Sequence, residues 1–230
     1  MRLRDFFHWV WLMLAAMMLH AQPARAAEEQ IVTVKEAKEV MEEIMAIPEQ
    51  SIPPSLLANA QAIAIIPNVL KAGFFVGGRF GKGVVVVRGK AGWSDPVFLT
   101  LAGGSFGWQI GAQAADVILV FKNRRGLDSL VNGKFTLGAD AAVSAGPVGR
   151  NAEAATDVQL KSEIYSYSRS RGLFAGVALD GSVLDIDKDA DAGFYGKDGI
   201  TATDIFDGRA PRHPEEAGKL RSTLGKYASK

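Results

Sequence analysis

The stretch GFFVGGRFGKGVVVVR, residues 73–88, decides the fold class. Its apolar residues come in short runs of phenylalanine and valine, and a glycine interrupts each run. Such runs are too short and too β-branched for a helix, and their glycines mark bulges or tight bends, so the stretch reads as antiparallel strand. DPVFLTLAGGSFGWQIG (95–111) and ADVILVF (115–121) repeat the pattern. The unit Gly-Gly-x-Phe-Gly occurs at 77–81 and again at 103–107. Upstream, AIAIIP (62–67) reads as a buried strand stopped by Pro67.

Helices flank this block. In TVKEAKEVMEEIMAI (33–47), Val34, Ala37, Val40, Met41, Ile44 and Met45 follow helical spacing, and Thr33 with Glu36 forms a capping box. SLLANA (55–60) is a second short helix, GLDSLVNG (126–133) a helical turn closed by Gly133, and PEEAGKLRSTLGKYASK (214–230) a terminal helix. GKFTLGADAAVSAGPVGR (133–150) alternates like strand between glycines, and Asp180-Gly181 is a hairpin signal. The expected fold is α+β: one domain over about 30–230, with an antiparallel, glycine-rich sheet free to curl towards a barrel and amphipathic helices at both ends.

The chain opens with Arg2 and Arg4, an apolar run from Trp9 to Ala21, and Ala24-Arg25-Ala26. That is the pattern of a cleavable signal peptide, residues 1–26, with cleavage near Ala26; the run is short for a membrane span. The expected location is periplasmic or secreted. The chain contains no cysteine, so neither a disulfide nor a lipid anchor on cysteine belongs to it. Without residues 1–26, which hold Arg2, Arg4, Arg25 and Asp5, 23 basic and 24 acidic residues remain, a formal charge of −1. That balance gives no footprint for nucleic acid.

Catalytic chemistry has little to work with. Beyond the leader the only histidine is His213, between Pro211 and Pro214, and with no cysteine there is no His/Cys metal site and no Cys-His pair. Gly103-Gly104-Ser105-Phe106-Gly107 matches the nucleophile-elbow pattern, which requires a strand before the serine and a helix after it. FLTLA suits the first requirement; GWQIG does not suit the second. Asp185, Asp187, Asp189 and Asp191 resemble the front of a calcium loop, but Ala190 and Gly196 stand where glycine and glutamate belong, so a solvated acidic loop is the default and a nonstandard calcium site the alternative. No catalytic residue, metal ligand or cofactor site is assigned.

EIYSYSRSRGLFAG (163–176) remains. As a strand it places Tyr165, Tyr167, Arg169 and Arg171 on one face and Ile164, Ser166, Ser168 and Ser170 on the other. Arginine offers phosphate a planar fork of donors, and tyrosine suits a half-wet interface. Lys71, Arg79 and Lys82 in the first glycine block, with Lys134 and Arg150 in a later one, are the other candidates for an anionic headgroup surface. The plain alternative is an ordinary solvated strand face.

IPNVLKAGFFVGGRFGKGVVVVR, GWSDP, GGSFGWQIGAQAADVILVF, GKFTLGADAAVSAGPVGR and EIYSYSRSRGLFAGVALDGS together resemble the SYLF family of lipid-binding domains, over about residues 58–200. The resemblance implies a non-enzymatic module that binds phospholipid headgroups. In eukaryotic members these are phosphoinositides, and some members also bind and bundle actin; bacterial members are commonly short exported proteins, for which an anionic phospholipid such as phosphatidylglycerol or cardiolipin is the corresponding ligand. Eukaryotic members use a basic amphipathic N-terminal segment at the membrane, and the acidic helix 33–47 departs from that. On this reading Arg79, Lys82, Arg169 and Arg171 hold phosphate oxygens, Lys71, Lys134 and Arg150 assist, and Tyr165 and Tyr167 sit at headgroup level. A cell-envelope structural or protein-interaction module is the first alternative and a serine hydrolase at Ser105 the second; the oligomeric state stays open.

Overall fold

The computed structural model of the chain describes residues 22–46, 51–149, 162–170 and 173–228. Residues 1–21 of the expected leader, and Arg150 and Arg171 among the expected site residues, lie outside them. Helix α1 spans Gln22–Met45 and α2 Pro54–Ala58. Two long strands follow, β1 Ala62–Gly89 and β3 Val97–Phe121, joined through the short β2 Gly92–Trp93. Then come α3 Arg125–Asn132, β4 Phe135–Thr136, β5 Val143–Ala145, β6 Ile164–Ser170, β7 Leu173–Gly176 and β8 Val183–Ile186. Helices α4 Lys188–Tyr195, α5 Ala202–Phe206 and α6 Glu215–Tyr227 complete the chain.

The result is a single α+β domain with a curled, half-barrel sheet of mostly antiparallel strands and helices at both ends. Its order is β2-β1-β3-β6-β5, with β7 on β6 and β8 on β3 and β4; among the described strand pairs β5–β6 alone is parallel. β1 and β3 pair from Ala62↔Phe121 to Val85↔Val97 as one long ribbon. The two Gly-Gly-x-Phe-Gly units meet across it, with Gly78 opposite Gly104.

Curling needs the two limbs of β1 to meet. A Cβ on Gly83 would lie 2.3 Å from the Ile65 carbonyl oxygen and 2.6 Å from Ile66 Cα, so one limb of the strand crosses the other at backbone distance. Only glycine fits a contact that close.

Pro67 does not stop the strand. It sits at a register shift between Ile66 and Val69, next to Asn68, which takes a left-handed φ of 51°. The bulge absorbs the missing amide and the ladder resumes. Helix α1 begins eleven residues before the expected Thr33. The alanines and glutamates of AAEEQ favour helix and no breaker intervenes. Thr33 is therefore mid-helix, its hydroxyl donating back to the Glu29 carbonyl at 3.0 Å rather than capping. A true capping box opens α5, with Thr201 and Asp204 bonded reciprocally.

The core runs between α1, through Val34, Ala37, Val40, Met41 and Ile44, and both limbs of the ribbon, Ile63–Ile66 and Val84–Val87. Arg88 ties the rim together: it donates to the carbonyls of Ala60 (2.8 Å), Leu57 (2.9 Å) and Ala228 (3.1 Å) and lies 4.4 Å over the Trp93 ring. Among the described residues no helix is long and apolar enough to cross a membrane.

Candidate functional site

Between its two buried limbs the ribbon leaves the core. β6 pairs with β3 only at 116–121 and β8 only at 99–102, so through residues 103–115 the β1–β3 ladder has, among the described residues, no further strand on the β3 side. Leu70, opposite Ala114 in this stretch, is 57% exposed, Phe80, opposite Ala102 at its border, is 50% exposed, and Leu173 on β7 is 74% exposed. Lys71 and Arg79 are half-buried and Lys82 is exposed on the same stretch of β1. Burial holds the Arg79 guanidinium below its ordinary value, and its Nε has no hydrogen-bond partner among the described residues. Lys82 Nζ donates to Glu29 Oε1 of α1 at 2.7 Å, which pushes its pKa up.

The strand of tyrosines behaves otherwise. β6 forms with the expected alternation, but Tyr165 is 3% and Tyr167 0% exposed. Tyr167 stacks on Phe174 at 5.3 Å, donates its hydroxyl to the Pro147 carbonyl at 3.1 Å, and lies so close over Gly146 that a Cβ there would sit 2.0 Å from the ring. Ser166 on the opposite face is buried too and donates to the Ser144 carbonyl at 3.1 Å. The tyrosines thus lie in the core and not at a wet surface, because β6 is flanked by β3 on one side and by β5 and β7 on the other.

Arg169 does reach the surface network. It stands directly opposite Asp116, whose Oδ2 takes its Nε at 3.1 Å and Nη2 at 2.9 Å, and its Nη1 pairs with Glu43 of α1. The other oxygen of Asp116 accepts the Asn68 backbone N–H at 3.0 Å, so the β1 bulge and Arg169 share one carboxylate. The Asn68 amide donates to Glu36 at 3.3 Å. Lys134 is exposed just before β4, a different strand. The structure thus gathers Lys71, Arg79 and Lys82 on one strand and joins Arg169 to the bulge. Reading the sequence missed the acidic partners Glu29, Glu36 and Glu43, although their seven-residue spacing is visible in it.

The catalytic alternatives are not assembled. Residues 103–107 are continuous strand, so Ser105 lacks the strand–turn–helix context of an elbow. His213 instead places Nδ1 2.6 Å from the buried Asp95, which also holds Arg221 Nε at 3.3 Å. These residues line an open cleft of about 1020 Å3 beside Trp93 and Phe206. The pairs tie the tail and α6 to the β2 turn.

The acidic run 185–191 is not a loop. It ends β8 and starts α4, where Asp187 caps the helix by accepting the Ala190 N–H at 3.0 Å. Asp191 is buried, accepts the Phe98 N–H at 2.9 Å, and is pushed up to about 8 by that burial. No group of acidic or histidine side chains with metal-site geometry occurs among the described residues.

A curled α+β sheet with an exposed apolar and cationic ribbon is the frame of a binding domain. Comparison with known families matches residues 102–227 to the one described as "Ysc84: Las17-binding protein actin regulator". Similar proteins include the SH3 domain-containing YSC84-like protein 1 of Xenopus laevis, 38% identical over 80% of this chain and 55% of its own. The human protein of that name is 36% identical over 85% and 58%. Protein YSC84 of Saccharomyces cerevisiae is 41% identical over 75% of this chain and 37% of its own. The chain belongs to the Ysc84 (SYLF) family. It spans a little over half the length of these vertebrate relatives and just over a third of the yeast one. It is the family description that names Las17 binding and actin regulation.

Proposed function

We propose that this chain is an exported, non-enzymatic module, peripheral to the membrane, that binds anionic phospholipid headgroups through the arched middle of its β1–β3 ribbon. One observation carries the reading: Leu70 and Phe80 are exposed on the segment that also presents Lys71, Arg79 and Lys82. Apolar side chains beside lysine and arginine suit a lipid–water interface, where the cations meet phosphate and the hydrocarbon enters the headgroup layer. The segment around them, GFFVGG and SFGWQIG, carries no charge and is rich in aromatic residues. Tyr165 and Tyr167 support the sheet in this reading and leave the contact to the ribbon.

Co-sedimentation of the purified protein with phosphatidylglycerol and phosphatidylcholine vesicles, at low and high salt, tests it. Binding is expected only to the anionic vesicles and weakens with salt. Each cation near an anionic surface is worth about 1 kcal/mol, so Lys71→Gln with Lys82→Gln weakens binding about thirtyfold. The family description names protein binding, which favours a protein partner as the second reading. Absence of vesicle binding at low salt, with the fold intact, selects it.

A further inference from the structure

Glu29, Glu36 and Glu43 recur every seven residues, two helical turns, and so share one edge of α1. Each carboxylate meets a polar group of the sheet. Glu29 holds Lys82 at 2.7 Å, Glu36 takes the Asn68 amide at 3.3 Å, and Glu43 pairs with Arg169. The partners come from the far limb of β1, its bulge, and β6, three places distant in sequence. Lys82 and Arg169 are cations that a phosphate would seek; Glu29 occupies Lys82, and Glu43 covers the Nη1 side of Arg169 that Asp116 leaves open.

Helix α1 is not held equally along its length. From Val34 to Ile44 its apolar face is buried in the core. Before that, Ile31 and Val32 are exposed, and the Lys82–Glu29 pair is half-exposed on both sides. An ion pair in that setting contributes little and is screened by salt. Glu29, Ile31 and Val32 thus form an open side of the helix next to the buried Gln30, and the Glu29 pair on that side faces solvent.

We infer that the acidic edge of α1 is an internal competitor for the anionic surface: Glu29 masks Lys82 and Glu43 masks Arg169, and headgroup phosphates bind by displacing them. The inference rests on the lipid reading above and adds its regulation. Binding is then weaker than the exposed cations alone would support, because each phosphate contact replaces an existing one.

The test compares Glu29→Gln/Glu43→Gln with Glu28→Gln/Glu39→Gln. Both double variants add two positive units, but Glu28 is an exposed residue and Glu39 pairs with Lys35 of its own helix, at 3.9 Å, rather than with the sheet among the described residues. Binding to phosphatidylglycerol vesicles is measured at several salt concentrations, with inorganic phosphate as soluble competitor. Glu29→Gln/Glu43→Gln should bind about tenfold tighter than the charge-matched pair, the equivalent of two surface ion pairs released. Equal tightening in both variants overturns the inference and leaves the lipid reading standing, since added charge alone explains it. Absence of binding in every variant removes both. Millimolar inorganic phosphate that displaces the protein as well as salt of equal ionic strength does is expected; displacement well beyond that assigns the cations to free phosphate and overturns the bilayer as the ligand. Should the double variant melt early by circular dichroism, Glu29→Gln alone, at an exposed pair, carries the same comparison against Glu28→Gln.

Discussion

Two stretches of this chain read alike and lie in opposite environments. IYSYSRS in β6 and VGGRFGK in the ribbon (76–82) both interleave aromatic residues and cations with small ones. In β6 the aromatic residues are sealed in the core; in the ribbon Phe80 is half-exposed, opposite Ala102, the last residue of β3 that β8 pairs before the uncovered stretch begins. Composition does not separate them. Neighbours do: β6 has strands on both edges along its length, whereas β8 follows the ribbon only as far as Ala102. An alternating pattern says which residues share a face, and only the neighbours say whether that face is wet.

The largest test of that contrast is paired truncation. Tyr167→Ala removes a fully buried ring, its stack on Phe174 and its bond to Pro147, and should cost about 3–5 kcal/mol in urea unfolding. Phe80→Ala should stay within about 1 kcal/mol, as surface truncations do. Equal costs would mean that the ribbon's arch is packed after all.

A second pair sharpens it at the glycines. Gly83→Ala forces a methyl against the Ile65 carbonyl where the limbs cross and should destabilise by about 1–3 kcal/mol or more. Gly104→Ala, with nothing within 4 Å of its added Cβ, should change stability by no more than about 0.5 kcal/mol. A tolerated Gly83→Ala would show that the limbs are not in backbone contact.

The last test reads a slope. Asp191 docks α4 on the ribbon's buried limb, and burial pushes it up to about 8, whereas in an unfolded chain it titrates near about 4. Between those values the unfolded chain has released a proton that the folded chain keeps. The Asp191 contribution therefore falls as pH rises from about 4 to about 8, and is constant outside that window. Asp191→Asn keeps an acceptor for the Phe98 N–H and should flatten the fall in urea midpoint between pH 5 and pH 8. An unchanged slope would place that carboxylate in contact with water.

Much was legible before any coordinates. The apolar runs and their glycines sufficed for a curled antiparallel sheet, helical spacing sufficed for α1 and α6, and the blocks between residues 58 and 200 sufficed for the family. These are local signals, set by backbone sterics and by the period of side-chain burial. The tertiary structure decided what local signals do not contain. Pro67 continues a strand because a bulge at Asn68 takes up its missing amide. Asp187 caps a helix because β8 delivers it there. The tyrosines of β6 are core because a third and fourth strand arrive from elsewhere in the chain. Lys82 and Arg169 are paired because α1 lies across strands far from it in sequence. Burial and ion pairing depend on which segments become neighbours at long range, and a sequence carries that only through the fold it makes.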